Sequence, residues 1–238
     1  MGAGARGGLR VVTVSLVTGG NRGIGREVCR QLAERGHTVV LTARGPGAAE
    51  KAAAELGGDV HGVVLDVTDA GSAAAAASQV RDRFGGLDVL VNNAAISYDT
   101  WQRPATADLE VVAGALDTNV LGPWRMVQAF LPLLRASAHP RIVNVSSEVG
   151  AIGSLGASTP AYSTSKVALN ALTVMLAADL RGDGVLVNAV CPGWVATDMG
   201  GAGGRPVAAG AASVVWAAVL ADGGPTGGFF RDGQRLDW

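Results

Sequence analysis

The sequence predicts a doubly wound α/β domain, with a mostly parallel sheet of seven strands flanked by helices. Three observations predict it. Short β-branched runs alternate with helical patterns along the whole chain. Those runs are apolar at nearly every position, as strands covered on both faces must be. The first run passes through a glycine-rich turn into a helix, the setting in which a helix N-terminus holds a phosphate. The 238 residues suffice for one large core, and no linker, repeat or charge block divides them, so residues 1–238 are read as one domain.

Composition narrows the function. Net charge is −1 and charged residues are 16% of the chain, which argues against a nucleic-acid partner. Cys29 and Cys191 are the only cysteines, and two distant thiols read as buried and reduced. No Cys/His cluster has metal-ligand spacing. No apolar run is long enough to span a bilayer, and the first residues lack a signal-peptide core, so a cytoplasmic protein without a membrane partner is expected.

In chain order, residues 1–9 are expected to form a loose arm. Residues 11–17 are the first strand. Thr18-Gly19-Gly20-Asn21-Arg22-Gly23-Ile24-Gly25 is the glycine turn, and a helix follows with Ile24, Val28 and Leu32 on one face. The spacing is Thr-Gly-x-x-x-Gly-x-Gly, with glycines that let backbone N–H groups approach an anion. Residues 38–42 form a second strand. No acid stands at Thr42, Ala43 or Arg44 to hold ribose hydroxyls, whereas Arg44 and Arg22 offer charge-assisted bonds to a 2′-phosphate. NADP(H) is therefore expected over NAD(H).

A short helix at 48–56, a strand at 60–65 and an Ala-rich helix ending at Phe84 come next. The fourth strand, 87–91, ends in Asn92 and Asn93, which either tie neighbouring strands or make a turn. A helical region at 107–134 is interrupted near Gly122-Pro123. It contains Asn119, unfavourable inside a helix unless it does something local. Residues 141–147 are a fifth strand ending in Ser146 and Ser147. Residues 185–190 are the sixth. Gly200 to Gly204 is a flexible stretch within a lid at 194–206, residues 207–220 form the last helix, and 227–230 the seventh strand.

Tyr162-Ser163-Thr164-Ser165-Lys166 opens a helix begun by Pro160. Tyr162 and Lys166, four residues apart, lie on one helix face. A nearby ammonium is expected to lower the phenol's pKa and make Tyr162 usable as an acid or base near neutral pH. Ligands in such folds bind at the carboxyl ends of the strands, where the glycine turn, Asn92, Asn93, Ser146, Ser147 and this helix converge.

Together these motifs resemble the short-chain dehydrogenase/reductase family over nearly the whole length, and within it the NADPH-dependent carbonyl reductases. The resemblance is carried by Thr18-Gly19-x-x-x-Gly23-x-Gly25, Asn92-Asn93-Ala94, Asn119, Ser147, Tyr162-x-x-x-Lys166, Pro192-Gly193 and the tail around Gly224 to Gly233. It implies a single Rossmann-like NADP(H)-binding domain. Tyr162 would donate a proton to a substrate carbonyl, Ser147 would hydrogen-bond that oxygen, and Lys166 would tune Tyr162 and hold the nicotinamide ribose. Asn119 would anchor a water in the proton relay. Cofactor contacts would come from Gly19, Asn21, Arg22, Gly23, Ile24, Gly25, Arg44, Asp66, Val67, Asn93, Ala94, Tyr162, Lys166, Pro192, Gly193, Val195 and Thr197. Ala95 departs from the usual Gly, a change expected to be tolerated. The Ser147-to-Tyr162 segment is slightly longer than usual but lacks the long insertion that keeps some carbonyl reductases monomeric, so a homodimer or homotetramer is expected. The substrate walls are expected at Ile96, Tyr98, Trp101, Glu148, Val149, Ile152, Leu155, Trp194 and Met199, mostly apolar; Glu148 either selects a substrate group or faces solvent. The activity implied is NADPH-dependent reduction of a ketone or aldehyde. The alternatives are an alcohol dehydrogenase run toward oxidation and a nucleotide-sensing protein without chemistry.

Overall fold

The computed structural model describes residues 12–96 and 98–238; the arm expected at 1–9 lies outside them. Eight strands form one sheet in the order β3-β2-β1-β4-β5-β6-β7-β8. They are β1 (Val14–Val17), β2 (Thr38–Ala43), β3 (Val60–Val64), β4 (Val89–Asn92), β5 (Arg141–Val145), β6 (Leu186–Val190), β7 (Phe229–Arg231) and β8 (Gln234–Leu236). The first seven pair in parallel and β8 returns antiparallel along β7.

The expectation of seven strands is thus corrected to eight. Asp232 and Gly233 both have positive φ, 51° and 77°, which suits a tight turn whose twist matches a hairpin. The turn lets Arg231 pair with Gln234 and Phe229 with Leu236. An Asp-Gly dipeptide between two short runs was the available signal.

The apolar runs become strands buried along their length in β1, β2, β4, β5 and β6. Alternate residues face opposite layers. Leu16, Leu90 and Ile142 join Met126, Phe130, Leu169 and Leu172 in one core. That layer contains helices α3 (Ala70–Phe84), α5 (Gly122–Ala136) and α6 (Pro160–Asp179). Val17, Val91 and Val143 face the other way, against α1 (Gly23–Ala33), α2 (Ala48–Leu56) and α7 (Val207–Ala218).

The long helical region breaks earlier than expected. Helix α4 (Leu109–Leu116) runs into a π-turn over Asp117–Leu121 before α5 begins. The disturbance therefore centres on Asn119, not on Gly122-Pro123. Pro123 sits in the first turn of α5, where its missing N–H costs nothing. Gly122 is fixed by packing, since a Cβ there would stand 2.9 Å from Val67 Cγ2.

Strand β1 pairs with β2 on one side and β4 on the other, so the chain switches direction between them. The loops leaving the carboxyl ends of β1 and β4 diverge and open a crevice. This fold rests on a close-packed interior. Phe130 is wholly buried in it, so Phe130→Ala should cost about 3–5 kcal/mol in denaturant unfolding; a loss below about 1 kcal/mol would contradict the packing described.

Candidate active site

The crevice is a cleft of about 840 Å³ along the carboxyl edge of the sheet. Its floor is the glycine turn. Gly23 has φ 53°, a conformation that side chains rarely adopt, and a Cβ on Gly25 would stand 2.4 Å from Gly19 O. The turn is braced from β4: Asn93 Nδ2 donates to Thr18 O at 2.8 Å, and Thr18 Oγ1 accepts from Asn93 N at 2.9 Å and Ala94 N at 3.0 Å. Helix α1 has no side-chain cap and no acid in its first turn. Its first N–H groups and positive dipole end are thus directed at an anion site.

The turn residues Gly19, Asn21, Arg22, Gly23, Ile24 and Gly25 all line the cleft, as do Arg44, Asp66, Val67, Asn93, Ala94, Ile96, Pro192, Thr197 and Met199. Arg22 also pairs with Asp198 at 3.1 Å, with both side chains largely exposed. Such a surface pair contributes at most about 1 kcal/mol, so Arg22 is readily recruited by a stronger anion. Asp66 is turned inward by its own loop, accepting from Thr68 N at 2.9 Å and Thr68 Oγ1 at 2.7 Å. Those bonds, with Arg44 adding a smaller effect, hold its carboxyl below the usual range. Ala95 is a cleft residue without positive φ, so its methyl imposes no backbone strain.

The two expected strand-end asparagines divide the roles left open by sequence. Asn92 Nδ2 donates to Asn144 Oδ1 at 2.9 Å and ties β4 to β5, while Asn93 braces the turn. Asn144 in turn donates to Thr173 Oγ1 on α6 at 2.9 Å.

Tyr162 and Lys166 both enter the cleft and both are buried. Lys166 Nζ donates to Val145 O at 2.8 Å and lies 5.3 Å from the Tyr162 ring centroid. One expectation is corrected here. Lys166 is not what sets the phenol's acidity in the protein alone: desolvation dominates and pushes Tyr162 well above the usual phenol range, with a Ser147 hydrogen bond opposing it. Burial likewise lowers Lys166 to about 8. The sequence could pair the two residues on one helix face but could not show how far both leave water.

The paired serines differ. Ser146 Oγ is committed to Asn170 Oδ1 at 2.6 Å, which leaves the half-buried Ser147 as the hydroxyl beside Tyr162. Asn119 does something local: Ile96 N donates to its Oδ1 at 2.9 Å, and its Nδ2 donates to Ile96 O and Ser165 Oγ, both at 3.0 Å. Ser165 Oγ donates back to Tyr162 O at 2.7 Å, so the π-turn, the β4 loop and α6 form one hydrogen-bonded unit.

The substrate residues scatter more. Tyr98 stacks edge-on to Tyr162, with ring centroids 5.3 Å apart. Trp101, Ile152 and Trp194 are strongly exposed. Glu148 faces solvent, as one of the two expectations had it, and is paired there with Arg231. The segment 194–206 is folded back on itself, not merely flexible. Val195 and Arg205 bridge, Arg205 N donates to Trp194 O at 2.7 Å, and Arg205 donates to both oxygens of Asp232. Ser147, Gly193, Val195, Tyr98, Trp101, Glu148, Val149, Ile152, Leu155, Trp194 and the buried Asn119 are not part of the cleft wall, whereas Ser146 is. Sequence reasoning missed Asp99, Thr118, Ser165 and Asp198.

A sheet-edge cleft with an uncapped helix end, and a buried Tyr-Lys pair beside it, defines a class of protein that can hold a phosphate-bearing cofactor next to a proton donor. Comparison narrows the class. The family model described as short chain dehydrogenase matches residues 13–205. A 3-oxoacyl-(acyl-carrier-protein) reductase FabG of Aquifex aeolicus is 39% identical over 191 residues, covering 78% of this chain and 75% of that protein. The (-)-isopiperitenone reductase of Mentha piperita is 35% identical, covering 93% and 97%. An NADPH-bound carbonyl reductase from chicken fatty liver superposes with a TM-score of 0.86 at 32% identity, covering 97% and 100%. The chain belongs to the short-chain dehydrogenase/reductase family and is an oxidoreductase of that family, whose members use nicotinamide cofactors. Among the described residues no helix is long and apolar enough to cross a membrane.

Lys51 and Lys166 are the only lysines, so Lys51→Arg leaves one ammonium to observe. A lysine side-chain NMR titration of that variant should give a midpoint near 8, with charge held below it and lost above it. A midpoint at the ordinary value of about 10.4 would contradict the burial of Lys166.

Proposed function

We propose that this chain is an NADPH-dependent carbonyl reductase that converts a ketone or aldehyde to an alcohol, with Tyr162 as general acid. The observation that carries the reading is the burial of Tyr162 and Lys166 in the same cleft as the uncapped N-terminus of α1. The NADPH-bound neighbour and the reductases among the relatives support it.

When bound, the reduced nicotinamide supplies a hydride; the protein's work is to position and polarise. The N–H groups around Gly19, Gly23 and Gly25 hold the pyrophosphate. Arg22 and Arg44 hold the 2′-phosphate, with Arg22 leaving its exposed pair with Asp198. Asp66 and Val67 would flank the adenine, Asn93 and Ala94 would lie along the dinucleotide, and Pro192 and Thr197 would border the nicotinamide half, with Gly193 and Val195 behind them.

Burial keeps the Tyr162 phenol protonated at neutral pH, which suits a group that must give a proton away. As negative charge grows on the carbonyl oxygen, Tyr162 and Ser147 donate hydrogen bonds to it, the stage at which such bonds accelerate a reaction. Lys166, anchored on Val145 O, holds the ribose side and places positive charge near the phenolate left behind. Asn119 fixes the β4 loop on which the relay is built. Of the expected substrate walls Ile96 and Met199 line the cleft itself, and the exposed Tyr98, Trp101 and Trp194 lie outside it, a largely apolar set that favours a hydrophobic carbonyl compound.

A panel of ketones, aldehydes and quinones assayed by nicotinamide absorbance tests this directly. NADPH should be preferred to NADH in kcat/KM, and Tyr162→Phe should bind NADPH normally while losing at least about 100-fold in kcat. Equal use of NADH, or substantial turnover by the variant, would overturn the respective assignment.

We also propose self-association through the face of α4, α5 and α6. Leu109 (76% exposed), Met175 (60%), Val174 (43%) and Trp124 (39%) lie exposed on these helices, and Leu121 (43%) on the π-turn between α4 and α5. Exposed large apolar side chains on one layer of helices favour an interaction surface there. Light scattering should give a dimer or tetramer mass, and a monomer would refute it.

A further inference from the structure

Helix α6 lacks a local cap. Its N-cap residue is Thr159, which has φ 52° and whose hydroxyl bonds Ser163 Oγ at 2.9 Å instead of a backbone N–H. For a β-branched residue that left-handed conformation is unfavourable by about 1–2 kcal/mol. Pro160 brings no N–H of its own. The first two N–H groups of the helix are those of Ala161 and Tyr162, and both are directed at one side chain from far away in sequence. Ala161 N donates to Asp99 Oδ2 at 2.9 Å, and Tyr162 N donates to Asp99 Oδ1 at 3.0 Å.

Asp99 is 0% exposed. A carboxylate that far from water is costly unless its partners compensate. Three donors do so, the third being Gln102 Nε2 at 3.1 Å, and the positive end of the α6 dipole adds to them. Gln102 is itself buried and passes the connection on, its Oε1 accepting from Asp108 N at 2.7 Å where α4 begins. The same stretch of chain therefore ties the start of α6 to the start of α4. Helix α4 leads to the π-turn with Asn119, which returns to clasp Ile96. Tyr98, adjacent to Asp99, lies edge-on to Tyr162.

We propose that Asp99 is a positioning residue for the reaction: it acts as a long-range cap that fixes the backbone of Tyr162, and with it the depth at which the phenol stands beside Ser147. This rests on the carbonyl-reductase reading for its consequence, but the positional effect belongs to the fold. A phenol displaced by about 1 Å loses on the order of 10²-fold in rate. The pyrophosphate end of the dinucleotide site does not depend on it, because the glycine turn is braced by Thr18 and Asn93 instead, and Lys166 has its own anchor on Val145 O. The effect should fall on kcat and spare cofactor binding.

The test compares wild type with Asp99→Asn and Gln102→Leu. The first keeps shape but replaces one acceptor oxygen with a donor; the second removes only the outer connection. NADPH affinity is read by its fluorescence, and kcat with 4-nitrobenzaldehyde as the carbonyl probe. Tyr98 and Tyr162 are the only tyrosines, so carbon-13 labelling at the tyrosine Cζ reads each ring directly. Asp99→Asn should move the Tyr162 signal and lower kcat by about 10- to 100-fold, with the NADPH Kd within about 2-fold of wild type. Gln102→Leu should fall between the two. An unmoved Tyr162 signal, or a kcat within about 2-fold of wild type, would overturn the proposal. So would a Kd that weakens in step with kcat, because that marks general unfolding and not positioning. If wild type fails to reduce the probe, the function reading is what suffers, and the NMR comparison still decides the role of Asp99.

Discussion

The chemistry of this protein depends on one constraint: α6 must stand with its first turns against the carboxyl ends of β4 and β5. Three independent attachments enforce it. Lys166 Nζ donates to Val145 O at the end of β5. The Asn92–Asn144–Thr173 chain crosses from β4 through β5 to the helix. Asp99 holds the helix start. Each is buried and polar, and buried polar groups that find their partners restrict a structure more than apolar contacts do, because any slip leaves a group unsatisfied. Among the described residues, the one buried side-chain atom without a partner is Asn92 Oδ1, within this same network.

That placement sets the electrostatics. A phenol and an ammonium removed from water both move toward their neutral forms, the first up and the second down to about 8. In the protein alone the two groups therefore share a desolvated environment more than they stabilise each other. On the proposed function, a phenol that keeps its proton at neutral pH is matched to donation toward a developing oxyanion. On the same proposal the cofactor half of the cleft works differently, mainly through fixed backbone N–H groups and exposed arginines, and takes from α6 only Lys166 on the ribose side.

Much of this was legible in the sequence because its signals are local. The Val-rich runs, the glycine turn, Pro160 and the four-residue spacing of Tyr162 and Lys166 all act over one or two turns of chain. The mostly parallel sheet and a cleft at its carboxyl edge followed from them, while the order of the strands came with the structure. What escaped was non-local or geometric. Asp99 could not be read as a helix cap, since the two N–H groups it caps lie more than sixty residues on. The π-turn was visible only as an oddly placed Asn119, and Pro123 drew the expected break to the wrong position. The sign of the Tyr162 shift required knowing that the whole ring is buried. Glu148 and Arg22 looked free until the fold brought Arg231 and Asp198 to them. The eighth strand alone had a usable local signal, in Asp232-Gly233.

A crystal structure of the protein with NADPH bears most directly on the central claim that helix end, Tyr162 and Lys166 form one working cleft. The account predicts the pyrophosphate over the N–H groups of the Gly19–Gly25 turn, with the nicotinamide in contact with Lys166 and beside the Tyr162 hydroxyl. A dinucleotide bound with its nicotinamide pointing away from α6, or held outside the crevice between β1 and β4, would contradict it.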